Sequence, residues 1–406
     1  MTTAPRPPAD APRRVAVTGL GAVTPAGRDV AAFRDAVLAG EPLYRRGAFS
    51  FAAASVPDDS PREDMDPDAV RLLGRCARFA ADAAIQAVLD ARLAIRPETL
   101  PLIGVAMGSA FGEPESLLRW RNAADPEERD LWARRASLPP ATAVARVIGA
   151  AGPCRSLAGG SAVGLAAVVE AAELIRRGDA TFVVCGGADA PLAWLDAEPG
   201  AAERAGVSRT GAARPLASDA DGIVPGEGAV AFVLEDLEIA RQRGARVYAE
   251  ALGWGETSSR SPVTDPRPNR VDAARALQAA LMRGHTLQRE VDALFASACG
   301  DPALDAVELE AIRTVWGHAA AALPVTAIAG ACGHVFAASG PASMLAAILA
   351  LGEGVLPPAA GAAPREEIDL VRERRHAEVR RAVVNAFDVS HHVSLVVAAP
   401  EDEGRT

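Results

Sequence analysis

Short apolar runs closed by glycine turns alternate with segments of helical period along almost the whole chain, and this alternation leaves few folds open. Arg13-Arg14-Val15-Ala16-Val17-Thr18-Gly19 reads as a buried strand, and the segment from Val30 to Leu38 then carries helical apolar spacing. Residues 70–92 place apolar side chains every three or four positions, as an amphipathic helix does. Leu102 to Met107 is a second strand, and Ser161 to Arg177, apolar almost all round on its first turns, predicts a buried helix. Strands follow at 181–187, 228–234 and 247–252. A second series then runs helix 271–283, strand 292–296, helix 304–316, strand 324–328 and helix 340–351, closed by strands at 381–385 and 393–398. The pattern predicts an α/β fold with buried mixed or parallel sheets. A break near Gly253 divides it into halves at 13–253 and 254–400, with tails at 1–12 and 401–406. The Pro- and Ala-rich residues 1–12 are expected to be disordered, and the Pro- and Arg-rich stretches 112–140 and 255–270 to be surface insertions.

A chain of 406 residues, half of them apolar, can bury a sizeable core. The net charge of −10 argues against bulk nucleic-acid binding and against anionic membranes. Lysine is absent, so all 42 basic residues are arginine and no step can use a lysine amine. Cys76, Cys154, Cys185, Cys299 and Cys332 are scattered without CxxC spacing. A disulfide framework or zinc site is therefore not expected, and a reducing cytoplasm is the default. No signal core and no uncharged apolar stretch of 18 residues is found, which predicts no membrane span.

Six segments, in order, resemble the β-ketoacyl-ACP synthase (ketosynthase) family. They are RRVAVTGLGAVTPAG at 13–27, GVAMGS at 104–109, GPCRSLAGGSAVGLAAV at 152–168 with IRRGDATFVVCGGADA at 175–190, the long run at 214–253, CGHVFAASGPASM at 332–344, and VVNAFDVSHHVSL at 383–395. The resemblance implies a thiolase-like fold of two pseudo-symmetric βαβ-rich halves in αβαβα layers. It also implies condensing chemistry without a cofactor. In such enzymes a cysteine at the N-terminus of a buried helix takes the acyl chain from a carrier protein, its thiolate favoured by the helix dipole and backbone N–H groups. Two histidines then promote decarboxylation of malonyl-ACP, and a lysine supports the second.

This chain departs from that pattern. The nucleophile position is Ser161, the first histidine position is Cys299, and the lysine position is Ala329, while the second histidine is kept as His334. After Asn385-Ala386-Phe387, where the family has a glycine-rich loop beside a gating Phe, the chain reads Asp388-Val389-Ser390-His391-His392. A serine hydroxyl is not ionised near neutral pH and needs a general base in reach. Losing the thiol, one imidazole and the ammonium together removes the means of condensation.

The pattern is similar to chain-length factors, the second ketosynthase-like subunit of type II polyketide synthases, many of which carry a Gln where this chain has Ser161. The resemblance implies a catalytically silent subunit that pairs with an active ketosynthase and shapes the chain tunnel, with an acyl carrier protein as further partner and Ser161 and Phe387 as tunnel or gate positions. Two alternatives stand beside it: a Ser161-dependent acyltransferase or thioesterase with His334 as base and the 161 and 387 amides as oxyanion hole, or a homodimeric acyl-binding protein. The blander reading of Ser161 is a residue capping its own helix. His391 and His392 are adjacent on a strand and so face opposite ways. Asp219, Asp221 and Glu227 lack calcium-loop spacing and read as structural. Arg13, Arg14, Arg71 and Arg75 are candidate contacts for an acidic carrier protein.

Overall fold

The computed structural model describes residues 13–58, 60–262, 264 and 267–401. The tails at 1–12 and 402–406 lie outside them. The strands are β1 Val15–Val23, β2 Ile103–Ser109, β3 Cys154–Ala158, β4 Phe182–Asp189, β5 Gly228–Asp236, β6 Ala249–Ser258, β7 Ala293–Phe295, β8 Pro324–Thr326, β9 Val355–Leu356, β10 Asp369–Leu370, β11 Arg375–His376, β12 Arg381–Phe387 and β13 His391–Ala398. Eleven of them form one mixed sheet in the order β10-β8-β7-β12-β13-β6-β1-β5-β4-β2-β3, and β11 pairs with β9 separately.

The period-2 alternation of each strand sorts its side chains into layers. In β5, Val230, Phe232 and Leu234 face an inner core, and Ala229, Ala231 and Val233 face an outer one. In β12, Ala382, Val384 and Ala386 face the same inner core, and Val383 and Phe387 an outer one. Two helices fill the inner core, Val163–Arg177 and Ser339–Glu353, each buried over most of its length. Helices Arg75–Asp90 and Pro140–Ile148 cover the outer face of the first half. Helices Arg270–Arg283 and Pro302–Trp316 cover that of the second. This is the layered thiolase-like α/β fold expected from the sequence. Among the described residues one run, Phe336–Glu353, is long and apolar enough to cross a membrane, and it is the second inner helix, 72% buried.

Some elements differ from the sequence expectation for local reasons. Residues 70–92 hold two helices, Pro67–Leu72 and Arg75–Asp90, with Leu73 and Gly74 extended between them. Gly74 packs on the Glu113 carboxylate, which also accepts the Ala77 N–H at 2.6 Å and leaves no room for a Cβ. The insertion at 112–140 is helical, with Pro114–Asn122 followed by Pro126–Ala136. β8 ends at Thr326, and Ala329–Cys332 forms a short helix. β6 runs unbroken through Gly253, pairing with β1 at Ala249–Ala251 and with β13 from Glu250 to Ser258.

Candidate active site

Two glycines bring three backbones together and so create the site. A Cβ on Gly164, in the first inner helix, or on Gly187, in β4, would strike the Ala337 carbonyl oxygen. Only glycine permits this approach. The N-terminal ends of both inner helices therefore meet beside the end of β12, and the candidate residues lie around that meeting point.

Ser161 follows the Gly159-Gly160 turn and is partly buried. The helix begins at Val163 with Ala162 as its N-cap, and no side chain of the cap bonds the first turn. The capping role expected of Ser161 is thus not taken up: its hydroxyl has no hydrogen bond among the described residues, because the helix starts two residues later. The anion at this helix end is Asp388. Its Oδ2 accepts the Ala162 N–H at 3.1 Å, and its Oδ1 accepts from Ser390 N at 2.8 Å, Ser390 Oγ at 3.0 Å and His391 N at 2.8 Å. A carboxylate at a helix N-terminus is favoured by the macrodipole. The same carboxylate fills the space where Gly160 would carry a Cβ.

Phe387 sits one residue earlier, at the end of β12. Its N–H donates to Ser297 Oγ at 2.9 Å, and that hydroxyl lies 3.2 Å from the Phe387 carbonyl oxygen. Ser297 is itself held by Glu308, whose Oε1 accepts the Ser297 N–H and the Asn385 amide, both at 2.9 Å. Burial raises Glu308 to about 7. The Phe387 ring is 3% exposed and meets the His392 ring edge-on, with centroids 5.2 Å apart.

His334 is fixed by its backbone. Its N–H donates to the Val224 carbonyl at 2.7 Å, and its carbonyl accepts from Gly226 N at 2.8 Å. Its Nδ1 lies 3.4 Å from Ser339 Oγ, and burial pushes the imidazole down to about 4, so it is neutral at physiological pH. The ring stands 5.0 Å from Phe336, which in turn stands 4.9 Å from Phe111, and Phe111 5.6 Å from Trp194. Phe336 adopts φ 48°, a left-handed backbone that a bulky residue rarely takes.

Cys299 and Ala329 fall together in one apolar cluster with Phe336, Leu192, Leu195 and Ile223. Burial pushes the Cys299 thiol well above its ordinary value. Both side chains therefore serve as hydrophobic packing. Ala329, His334, Ser297 and Asn385 line a cavity of about 20 Å³, room for one water rather than an acyl chain. Ser161 and Phe387 do not line it.

The remaining candidates are structural. His391 bonds Glu256 at 2.7 Å at the start of β13, while His392 faces the opposite side of the strand, packs against Phe387 and is fully buried. Asp221 accepts from Ser208, Arg209 and Thr210, Asp219 pairs with Arg214, and Glu227 pairs with Arg75 at 2.7 Å. Of the candidate carrier-protein contacts, Arg75 is spent on Glu227, Arg14 is spent on Glu250 at 2.5 Å, and Arg13 lies 3.6 Å from Asp236. Arg71 is exposed. No local sequence pattern marks Ser297, and Asp388 stands out in the sequence only as the first residue of the altered loop after Phe387. The one signal was a carboxylate beside a helix start 226 positions away in the chain.

Residues 12–240 match the N-terminal domain of the beta-ketoacyl synthase family and residues 248–363 its C-terminal domain. A 3-oxoacyl-[acyl-carrier-protein] synthase 2 of Staphylococcus aureus is 30% identical, over 95% of this chain and 98% of that protein. A putative polyketide beta-ketoacyl synthase 1 of Streptomyces cyaneus is 33% identical, over 91% and 93%. Among solved structures, the ishigamide ketosynthase/chain length factor superposes with a TM-score of 0.86 at 29% identity, covering 96% of this chain and all of that one. A type II polyketide synthase acyl-carrier protein in complex with its ketosynthase, bound to the hexaketide, gives 0.81 at 27%, with the same coverage.

Proposed function

The chain belongs to the β-ketoacyl synthase family, and from that premise we propose that it acts as a non-condensing subunit of a type II polyketide synthase. In this reading it pairs with an active ketosynthase and shapes the tunnel for the chain that an acyl carrier protein delivers. The observation that carries the reading is the placement of Cys299 and Ala329 in one apolar cluster, with only Ser161 at the nucleophile position. Condensation needs an ionised nucleophile and polar groups around the malonyl thioester oxygen. Here His334 remains, but the Cys299 and Ala329 positions are packed among apolar side chains.

Two further features support pairing. β3 is the terminal strand of the large sheet, and four of its five residues, Cys154, Arg155, Ser156 and Ala158, are exposed. An unprotected edge of this kind is a template for another strand. The cavity beside His334 is too small for a polyketide, so in this reading the tunnel forms with a second subunit. The type II structures that this chain resembles include a ketosynthase with a chain length factor and a ketosynthase with an acyl-carrier protein.

The test is co-expression with candidate ketosynthases, followed by native mass spectrometry with malonyl- and acyl-ACP present. A one-to-one heterodimer acylated only on the partner cysteine is the expected result. An acyl adduct on Ser161 would move the function to an acyltransferase or thioesterase. A homodimer indifferent to every ketosynthase would make it a lone acyl-binding protein.

A further inference from the structure

We infer that Asp388 and Ser297 close the anion-binding end of the first inner helix from within, so that the site stays silent even when a thiol is placed at position 161. The inference deepens the non-condensing reading and rests on it. Three observations meet here. The Asp388 carboxylate occupies the positive end of helix Val163–Arg177, bonded to the Ala162 N–H and packed against Gly160, and so it flanks Ser161 on both sides. It is 5% exposed and anchored by three further donors from Ser390 and His391, so it is fixed in place. The Phe387 N–H, the other amide that could meet an oxyanion, is spent on Ser297 Oγ.

An anion needs free donors and a local excess of positive charge. At this helix end the Ala162 N–H is taken and the positive charge already faces a carboxylate. His334, which feels Asp388, is held neutral by burial and supplies no compensating charge. A thiolate at 161 would sit beside a fixed like charge, which disfavours its ionisation. In a site built for condensation the same helix end would favour the thiolate. Asp388 is thus a positioning residue acting against acylation: it bonds the turn 388–391 to the inner helix and replaces the missing anion with one of the chain's own.

The experiment uses the full chain with Cys154→Ser, which removes the exposed cysteine. Into it goes Ser161→Cys, and the new thiol is alkylated with iodoacetamide from about pH 6 to pH 10. The thiolate sulfur displaces iodide, and the modified peptide is quantified by mass spectrometry. The expected thiol titrates at or above the ordinary cysteine value of about 8.5. Adding Asp388→Asn keeps an acceptor for Ser390 and His391 but removes the charge, and labelling at pH 7 then rises about tenfold, the equivalent of one pH unit of thiol acidity. Asp388→Ser moves the rate the same way, and thermal melts show which variants are folded. A Ser161→Cys thiol that titrates well below 8.5 with Asp388 intact overturns the inference, as does a rate that neither Asp388 variant changes. The chain is measured alone, so failure to find a ketosynthase partner leaves the result standing.

Discussion

The Ser297 hydroxyl meets both backbone polar groups of Phe387, taking its N–H at 2.9 Å and facing its carbonyl at 3.2 Å, although the residues are 90 positions apart. The contact joins the exit of β7 to the end of β12. Ser297→Ala leaves the Phe387 N–H without this partner. The expected loss is about 1–3 kcal/mol of folding stability, read as a lower urea midpoint at unchanged slope.

Ser161→Ala tests silence directly. The Ser161 hydroxyl makes no hydrogen bond among the described residues, so stability should change by no more than about 0.5 kcal/mol. In a complex with the partner, polyketide output should stay at its original level. A fall in output of tenfold or more would give Ser161 a chemical role.

Arg75 and Glu227 form a bidentate pair at 2.7 and 2.9 Å, with the Glu227 side chain 3% exposed. Glu227 also accepts the Val56 N–H at 3.1 Å. Arg75→Ala leaves a buried carboxylate without its countercharge and is expected to cost about 3–5 kcal/mol. Thermal unfolding measures it. A change under about 1 kcal/mol would show that the pair contributes no more than an exposed one.

His392 predicts a pH dependence. Neither of its ring nitrogens has a partner, and burial pushes the imidazole down to about 4, with Asp388, His391 and Asp272 as its charged or titratable neighbours. Unfolded imidazole takes a proton near 6.5. Between the two values the unfolded chain binds more protons, so stability falls as pH drops from about 6.5 toward 4. His334 adds to this trend. Buried carboxyls oppose it: burial raises Asp189 and Asp305 to about 6 and Glu113 and Glu308 to about 7, and their contribution is lost as pH rises through those values. His392→Leu isolates the imidazole and should gain about 1–2 kcal/mol at pH 5 relative to pH 8. Urea titrations at the two pH values give the difference, and equal shifts at both would exclude the imidazole as its source.

The layers of the fold were legible because the elements stand out as apolar segments: β5 and β12 are short apolar runs of strand length, and the inner helices are longer runs apolar over most of their length. Ser161, Cys299 and Ala329 were legible as departures from the family pattern, read one position at a time. What fills the site was not. Asp388 reaches Ala162, and Ser297 reaches Phe387, only through the sheet order, which no local pattern encodes. The helix start at Val163 was missed for the same reason, because its cap comes from a distant carboxylate instead of its own serine. The Leu73-Gly74 break was hidden because the Glu113 carboxylate that accepts the Ala77 N–H comes from a separate segment.

β6 has a consequence for how this chain comes apart. It is hydrogen-bonded along one edge to β1 of the first half and along the other to β13 of the second. Neither half can melt without stripping a strand from the other, and both line the inner core that holds the two central helices. Denaturation should therefore be one cooperative event across the sequence symmetry. Cutting the chain at its apparent midpoint would yield two fragments that fold only when mixed.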